Sequence, residues 1–428
     1  METLDKLAIL GGAARYDVCA SSFSCRKAPS STGRLGNPAA SGICHSFLPD
    51  GRCVSLFRVL MTNACEQDCA YCVNRRSRNT PRTSFQPEEL ARMFIEFYVR
   101  NYVEGLFLSS GVCGRADATM EKMVKTVEIL RAQYGYQGYV HLKILPGASR
   151  DLVERGADLA DRMSVNLEAP NRKRLALLSP GKEMMENIVE RMRWMNQLAV
   201  QGRIPSGQTT QFVVGPAGET DFELLRTVTW LYKNVGLRRA YFSAFIPVPD
   251  TPLENQPPTP LLREHRLYQA EFLLRTYGFS LEELAFQGRD FNLPLDYDPK
   301  VVFALARPER YPVEVNKATK EELLRVPGMG RRSVSRILAL RRQGRITDLQ
   351  ELKNLGVVVK RARPFITILG KAQGHLETFL SGTQLSLWSP SRDHPLPRGP
   401  EILPQSRPLI PAPSSRDRLG GRALPIAV

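Results

Sequence analysis

The chain has 428 residues, 59 Lys plus Arg against 43 Asp plus Glu, and a formal net charge of +16. Its length allows two or three domains, and 43% hydrophobic with 24% charged residues excludes a membrane protein or a wholly disordered chain. A positive surplus of that size favours an acidic partner, most often nucleic acid. The first residues, Met-Glu-Thr-Leu-Asp-Lys, lack the basic start and apolar stretch of a secretory signal, and no run of about 20 apolar residues follows; a cytoplasmic location with no membrane contact is expected.

Residues 1–53 are rich in Gly, Ser and Cys, show little periodicity, and read as a cysteine-containing N-terminal segment. A regular alternation then begins. Strand-like apolar runs fall at 54–61, 105–109, 139–145, 162–168, 209–214 and 240–246. Helical patterns follow them in turn at 87–102, 119–134, 150–156, 182–200, 219–235 and 261–277. Six strand–helix units in strict order predict an α/β domain over 54–290, a parallel sheet covered by helices. Periodicity alone suits a partial (β/α) barrel and an open doubly wound sheet equally. Either places the ligand site at the C-terminal ends of the strands. A proline-containing connector spans 291–312, and a compact basic segment spans 313–376. Within 301–376 there are 16 Lys or Arg and 6 Asp or Glu, a net charge of +10. The stretch 377–428, with 9 prolines among its last 48 residues, reads as a disordered tail.

The eight cysteines, Cys19, Cys25, Cys44, Cys53, Cys65, Cys69, Cys72 and Cys113, all lie in the first 113 residues. Clustered cysteines in a cytosolic chain read as metal ligands or redox groups rather than disulfides. Cys65-Glu-Gln-Asp-Cys69-Ala-Tyr-Cys72 is a CxxxCxxC motif in the loop after the first strand. Three thiolates in so short a span can each bind one iron of a 4Fe–4S cluster and leave the fourth iron open. The alternative is a zinc site completed by His45 or another cysteine.

This motif, in this position, resembles the radical S-adenosylmethionine (SAM) enzymes across roughly residues 54–277. The resemblance implies a partial (β/α)6 barrel in which Cys65, Cys69 and Cys72 hold three irons. SAM would chelate the fourth, and an external donor would supply the electron that cleaves it to a 5′-deoxyadenosyl radical. Tyr71 stands where the family has an aromatic residue. Ser109-Ser110-Gly111 stands where the family has a Gly-Gly-Glu-like turn for the methionine amino group, without the acidic residue. Asn166 and Glu168, at i, i+2 on one strand face, stand where the family contacts the ribose hydroxyls. Gly215 and the segment 244–247 fit the wall beside methionine and adenine, with less specificity. Cys113, two residues past the presumed methionine loop, is a candidate hydrogen-atom donor or a packed thiol. Cys19, Cys25, Cys44 and Cys53 either hold a second metal or cluster or are buried thiols. Arg75 and Arg76, with Arg78, follow the cluster loop and either contact phosphate or form a solvated charge run.

In the basic segment, Thr319 with Glu322 makes a capping box. Pro327-Gly328-Met329-Gly330 makes a tight turn, and Val334, Ile337 and Leu338 give the next helix an apolar face. This resembles a helix-hairpin-helix, whose Gly-hydrophobic-Gly turn offers backbone N–H groups to DNA phosphate without reading sequence. Gly328, Gly330, Arg331 and Arg332 are the candidate nucleic-acid contacts, with Arg336 nearby; a protein-interaction hairpin is the alternative. A degenerate second copy runs through 348–354, Gly356 and Lys360, Arg361 and Arg363, and reads as packing. In the tail, Gln384, Leu385, Leu387 and Trp388 resemble the peptide by which repair proteins dock on the replication sliding clamp, or else form a short returning strand. The whole resembles a group of radical SAM proteins associated with DNA modification or repair, and that resemblance implies a uracil-DNA-glycosylase-like partner. Radical modification of RNA and a non-catalytic iron–sulfur DNA sensor are the competing readings.

Overall fold

The structure is a computed structural model that describes residues 2–14, 43–47, 53–288 and 290–374. Helix α1 (Thr3–Ala14) and strand β1 (Ile43–Phe47) precede the alternation. The six alternating units then supply β2 (Cys53–Leu60), α2 (Pro87–Val99), β3 (Gly105–Ser109), α3 (Ala116–Ala132), β4 (Tyr139–Lys143), α4 (Arg150–Leu159) and β5 (Arg162–Ser164). After these come α5 (Arg172–Leu178), α6 (Glu190–Val200), β6 (Gln208–Val214), α7 (Asp221–Asn234), β7 (Arg239–Ala244) and α8 (Leu261–Phe272).

Strands β2 to β7 are parallel and lie in sequence order, with β1 antiparallel on the β2 edge. That order settles the choice the periodicity left open. A doubly wound sheet reverses its strand order at a switch point, whereas here the order never reverses. Residues of one alternation phase, such as Val59, Leu108, Leu142, Met163, Phe212 and Phe242, join a single core with the helices. The opposite phase faces away from that core, so the sheet is an open half-barrel with helices outside.

Several elements differ from expectation. The N-terminal segment is not featureless: α1 buries Leu10, Gly11 and Ala14, and the adjacent Gly11-Gly12 pair is what hides it from a propensity reading. Strand β5 ends at Ser164, short of Glu168, which lies in the left-handed region at φ 66° and pairs again with β6 only through a bridge to Phe212. The pattern at 182–200 divides into a π-turn at Met184–Val189 and α6.

The connector is also structured. Asp298 caps α9 (Pro299–Leu305) by accepting from the N–H groups of Lys300 and Val301. Pro299, a breaker in mid-helix, is an initiator at the first helical position. The fully buried Phe303 of α9 stacks edge-on against Phe279 at 5.1 Å. Phe303 belongs to the barrel core and its neighbour Ala304 to a second core formed by residues 304–368.

That second core holds α10 (Lys320–Arg325), α11 (Arg331–Leu340), α12 (Leu349–Asn354) and α13 (Val359–Ala362). It is not purely helical, because β8 (Val313–Glu314), β9 (Ile366–Ile368) and β10 (Lys371–Ala372) form a small sheet where the chain enters and leaves. The expected capping box is present, with the Thr319 hydroxyl accepting from the Glu322 N–H. The tail, with Gln384, Leu385, Leu387 and Trp388, lies outside the described residues, as do Cys19 and Cys25 and the side chains of Cys44, His45 and Cys53. Among the described residues no helix is long and apolar enough to cross a membrane.

Candidate active site

The loop after β2 carries the three cysteines to the C-terminal end of the barrel. Its backbone is tied on both flanks. The Glu66 N–H donates to Val112 O at 2.7 Å, and the Ala70 N–H donates to Leu178 O at 2.8 Å. The Gly111 N–H reaches Thr62 O at 2.8 Å, and a Cβ on Gly111 would meet Cys65 Cβ at 3.0 Å. Glycine there lets the β3 turn lie directly against the cysteine loop. Arg82 closes the loop from behind, its guanidinium donating to the carbonyls of Asn63, Asn74, Arg75 and Arg78 at 2.5 to 2.8 Å.

Cys65, Cys69 and Cys72 line one cavity together with Tyr71, Ser109, Ser110, Gly111, Asn166 and Glu168. The expected cofactor residues, scattered over 104 positions of sequence, are thus brought together at the strand ends. Ala244, Phe245 and Ile246 also line this cavity, whereas Gly215 does not. At φ 108°, Gly215 turns the chain where a Cβ would collide with Thr259 Oγ1, and its N–H is held by the Glu219 carboxylate.

Two expectations fail here. Cys113 is exposed and stands outside the cavity lining, one residue past the wall at Val112; its backbone is fastened to the Thr119 hydroxyl at 3.0 and 2.9 Å. Arg75 is buried, donating to Asp68 at 2.7 Å and holding that carboxyl far below the usual range. It braces the loop from within. Arg78 is similarly engaged with Pro249 O at 2.9 Å, and of the three arginines only Arg76 is exposed.

Two residues that sequence reasoning missed complete the site. Ser179 places its hydroxyl 3.0 Å from Cys69 Sγ. Lys182 lines the cavity and pairs with Glu168 at 3.3 Å, both side chains at least nine-tenths buried. Both follow α5, an element with no clear signal, and lie more than 100 residues from the cysteines. Nothing local in the sequence couples them to the motif.

The electrostatics are those of a buried, sulfur-rich pocket. Burial, reinforced by the charge of Cys69, pushes the Cys72 thiol up to about 12, and burial raises Cys65 as well. Burial and then the Glu168 charge, which Tyr71 also hydrogen-bonds, raise the Tyr71 phenol well above its ordinary value. Burial acts to lower Lys182, but the charges of Cys69, Glu168 and Cys72 outweigh it and hold the ammonium above the usual lysine value. Three thiols crowded in one dry place ionise together only when cations neutralise them. Lys182 supplies one such charge, and iron would supply more. Three thiols lining one cavity make a donor set that suits a cluster taking one sulfur per iron.

Residues 59–231, from β2 through most of α7, match the model of the Radical SAM superfamily. This segment belongs to that superfamily, and the chain carries a radical SAM enzyme domain, which implies a 4Fe–4S cluster and SAM. A biotin synthase of Hydrogenobaculum sp. (strain Y04AAS1) is 25% identical over 209 residues, covering 46% of this chain and 57% of that protein. The chain thus spans little more than half the length of that relative. Among solved structures, the FeFe-hydrogenase maturase HydG from Carboxydothermus hydrogenoformans is 13% identical, with a TM-score of 0.42 over 70% of this chain and 75% of the other. Methylornithine synthase (PylB) is 13% identical, with a TM-score of 0.43 over 51% and 61% of the two chains.

Proposed function

We propose that the protein is a radical SAM enzyme acting on DNA, with the C-terminal basic unit as its DNA-holding part. The observation that carries the catalytic half is the convergence of Cys65, Cys69 and Cys72 with Ser109, Gly111, Asn166 and Glu168 on one cavity at the strand ends. When bound, the cluster and SAM supply an electron and a 5′-deoxyadenosyl radical able to take hydrogen from an unactivated C–H bond. The chain's own residues do the rest. The thiols would hold three irons, and Arg82 and Arg75 keep the loop rigid. Ser109 and Ser110 offer hydroxyls and carbonyls to an amino group in place of the missing acid. Glu168, fixed by Tyr71 and Lys182, offers a carboxylate to paired hydroxyls, and Asn166 a second polar group. The apolar flank at Ala244, Phe245, Ile246 and Val248 limits water around the reacting atoms.

The DNA reading is supported by the helical unit. Gly328, at φ 82°, makes the turn between α10 and α11, and its carbonyl accepts from the Val358 N–H of the second hairpin at 2.9 Å. Ser333 Oγ donates to Gly356 O at 2.7 Å, so the degenerate copy packs against the first. Arg331, Arg332, Arg336 and Lys360 are exposed around this pair. The exposed guanidinium groups are the main phosphate contacts in this reading. Duplex DNA binding tests it: affinity should fall steeply with salt and drop in Arg331→Gln plus Arg332→Gln. Salt-insensitive binding, equal in the variant, would overturn it. The glycosylase-like partner and clamp docking through Leu385 and Trp388 belong to the same proposal. Leu385→Ala plus Trp388→Ala should abolish co-purification with the clamp.

A further inference from the structure

The three thiols differ in what they meet. Cys65 Sγ accepts from the Val112 N–H and Cys72 Sγ from the Asn74 N–H, each at 3.4 Å. Cys69 Sγ is met by a side chain instead, the Ser179 hydroxyl at 3.0 Å. Ser179 is 1% exposed and Cys69 6%, so water does not compete for this contact.

Three backbone bonds hold the hydroxyl in place. Ser179 closes α5, its N–H donating to Leu175 O at 2.7 Å and its carbonyl accepting from the Lys182 N–H at 3.0 Å. The carbonyl of the preceding residue, Leu178, accepts at 2.8 Å from the N–H of Ala70, the neighbour of Cys69. Both members of the pair are thus fixed through their own chain segments. Between a free thiol and a hydroxyl, either atom can donate. A sulfur bound to iron is a thiolate with no proton to give, so in the loaded protein the hydroxyl donates. Lys182, on the same cavity wall, already has Glu168 as its partner at 3.3 Å.

We propose that Ser179 is a positioning residue that tunes the cluster, donating to Cys69 Sγ and raising the reduction potential. It acts through Cys69 and touches no substrate. Reduction brings one electron from the external donor onto the iron and sulfur atoms, and no bond at Ser179 forms or breaks. The added negative charge strengthens a hydrogen bond to sulfur, so that bond favours the reduced state. Burial enlarges the effect, because a low dielectric strengthens a bond to a charged group. The reduced state is the one that cleaves SAM, and the hydroxyl therefore eases delivery of the electron by a weak donor. The role of Ser179 rests on the cluster and is independent of the DNA reading.

The test is an anaerobic redox titration of the reconstituted full chain without SAM, using dithionite and mediator dyes. The electron paramagnetic resonance signal of the reduced cluster is followed against potential. Ser179→Ala should keep the wild-type iron and sulfide content while shifting the reduction equilibrium about tenfold toward the oxidised state. For a one-electron couple that is a midpoint about 59 mV more negative. Ser179→Thr, which retains the hydroxyl, should recover most of that shift. A purely structural role would change the iron content and leave the midpoint in place. An intact cluster with an unchanged midpoint in Ser179→Ala would overturn the proposal. Loss of iron in that variant, or an equal shift in Ser179→Thr, would overturn it too. A wild-type chain that takes up no cluster would instead overturn the cluster assignment, and this role with it.

Discussion

The cysteine loop depends on arginines that the sequence presents as candidate DNA contacts. Arg75 is an internal brace against Asp68, whereas Arg76 is exposed. Arg75→Ala should therefore lower the iron retained after reconstitution and leave DNA affinity within twofold, and Arg76→Ala should leave iron content unchanged. Iron and sulfide stoichiometry beside a DNA titration separates these outcomes; the reverse pattern would return Arg75 to the DNA surface. The Glu168–Lys182 pair makes a second claim at this scale. Breaking a buried pair from one side typically costs about 3–5 kcal/mol, more than removing both charges together. Lys182→Met should be strongly destabilising in denaturant, and adding Glu168→Gln should recover part of the loss. Simple additivity of the two substitutions would contradict the coupling.

Among elements, the alternation of apolar runs made the six parallel strands and their helices legible, because each outward strand residue and each inward helix face is a local pattern. The cysteine motif was legible from its spacing, whereas Ser109, Asn166 and Glu168 were legible only through the family resemblance, and Asn166 and Glu168 lie beyond the end of β5 at Ser164. Elements whose burial depends on distant partners were not. Helix α1 hides behind its glycines, α5 has seven residues and a weak pattern, and α9 begins with a proline that reads as a break. Lys182 and Ser179 owe their place to the packing of α5 against the cysteine loop, which no local spacing encodes. Helix α9 also yields a pH prediction. Burial draws the Lys300 ammonium, which donates to Met329 O at 2.6 Å, down to about 7 from an ordinary 10.5. Between those values the unfolded chain holds a proton that the folded chain lacks. Stability should therefore rise as pH increases from 7 toward 10.5 and be lowest below 7. Lys300→Met should flatten that rise in urea titrations at stepped pH; an unchanged slope would show that Lys300 keeps its proton when folded.

For the whole molecule, ten of the sixteen surplus positive charges fall within residues 301–376. The C-terminal unit exposes Arg331, Arg332, Arg336 and Lys360 around its two packed helix pairs. Other basic residues are structural: Arg325 pairs with Glu283 at 2.7 Å, and Arg361 pairs with Asp298. Duplex affinity should therefore track the exposed set. Arg331→Gln plus Arg332→Gln should reduce the slope of log affinity against log salt by about two, one for each lost phosphate contact. A slope unchanged by that double substitution, with Arg325→Gln altering it instead, would invert this division.

Three thiols and the cavity around them make a radical SAM catalyst. Anaerobic reconstitution with iron, sulfide, SAM and a strong reductant, followed by chromatographic measurement of 5′-deoxyadenosine, tests it most directly. The full chain should form 5′-deoxyadenosine, and Cys69→Ala should abolish it together with the cluster's visible absorption. An intact cluster that yields none, or an unchanged yield from Cys69→Ala, would show that the three thiols do not support radical SAM chemistry.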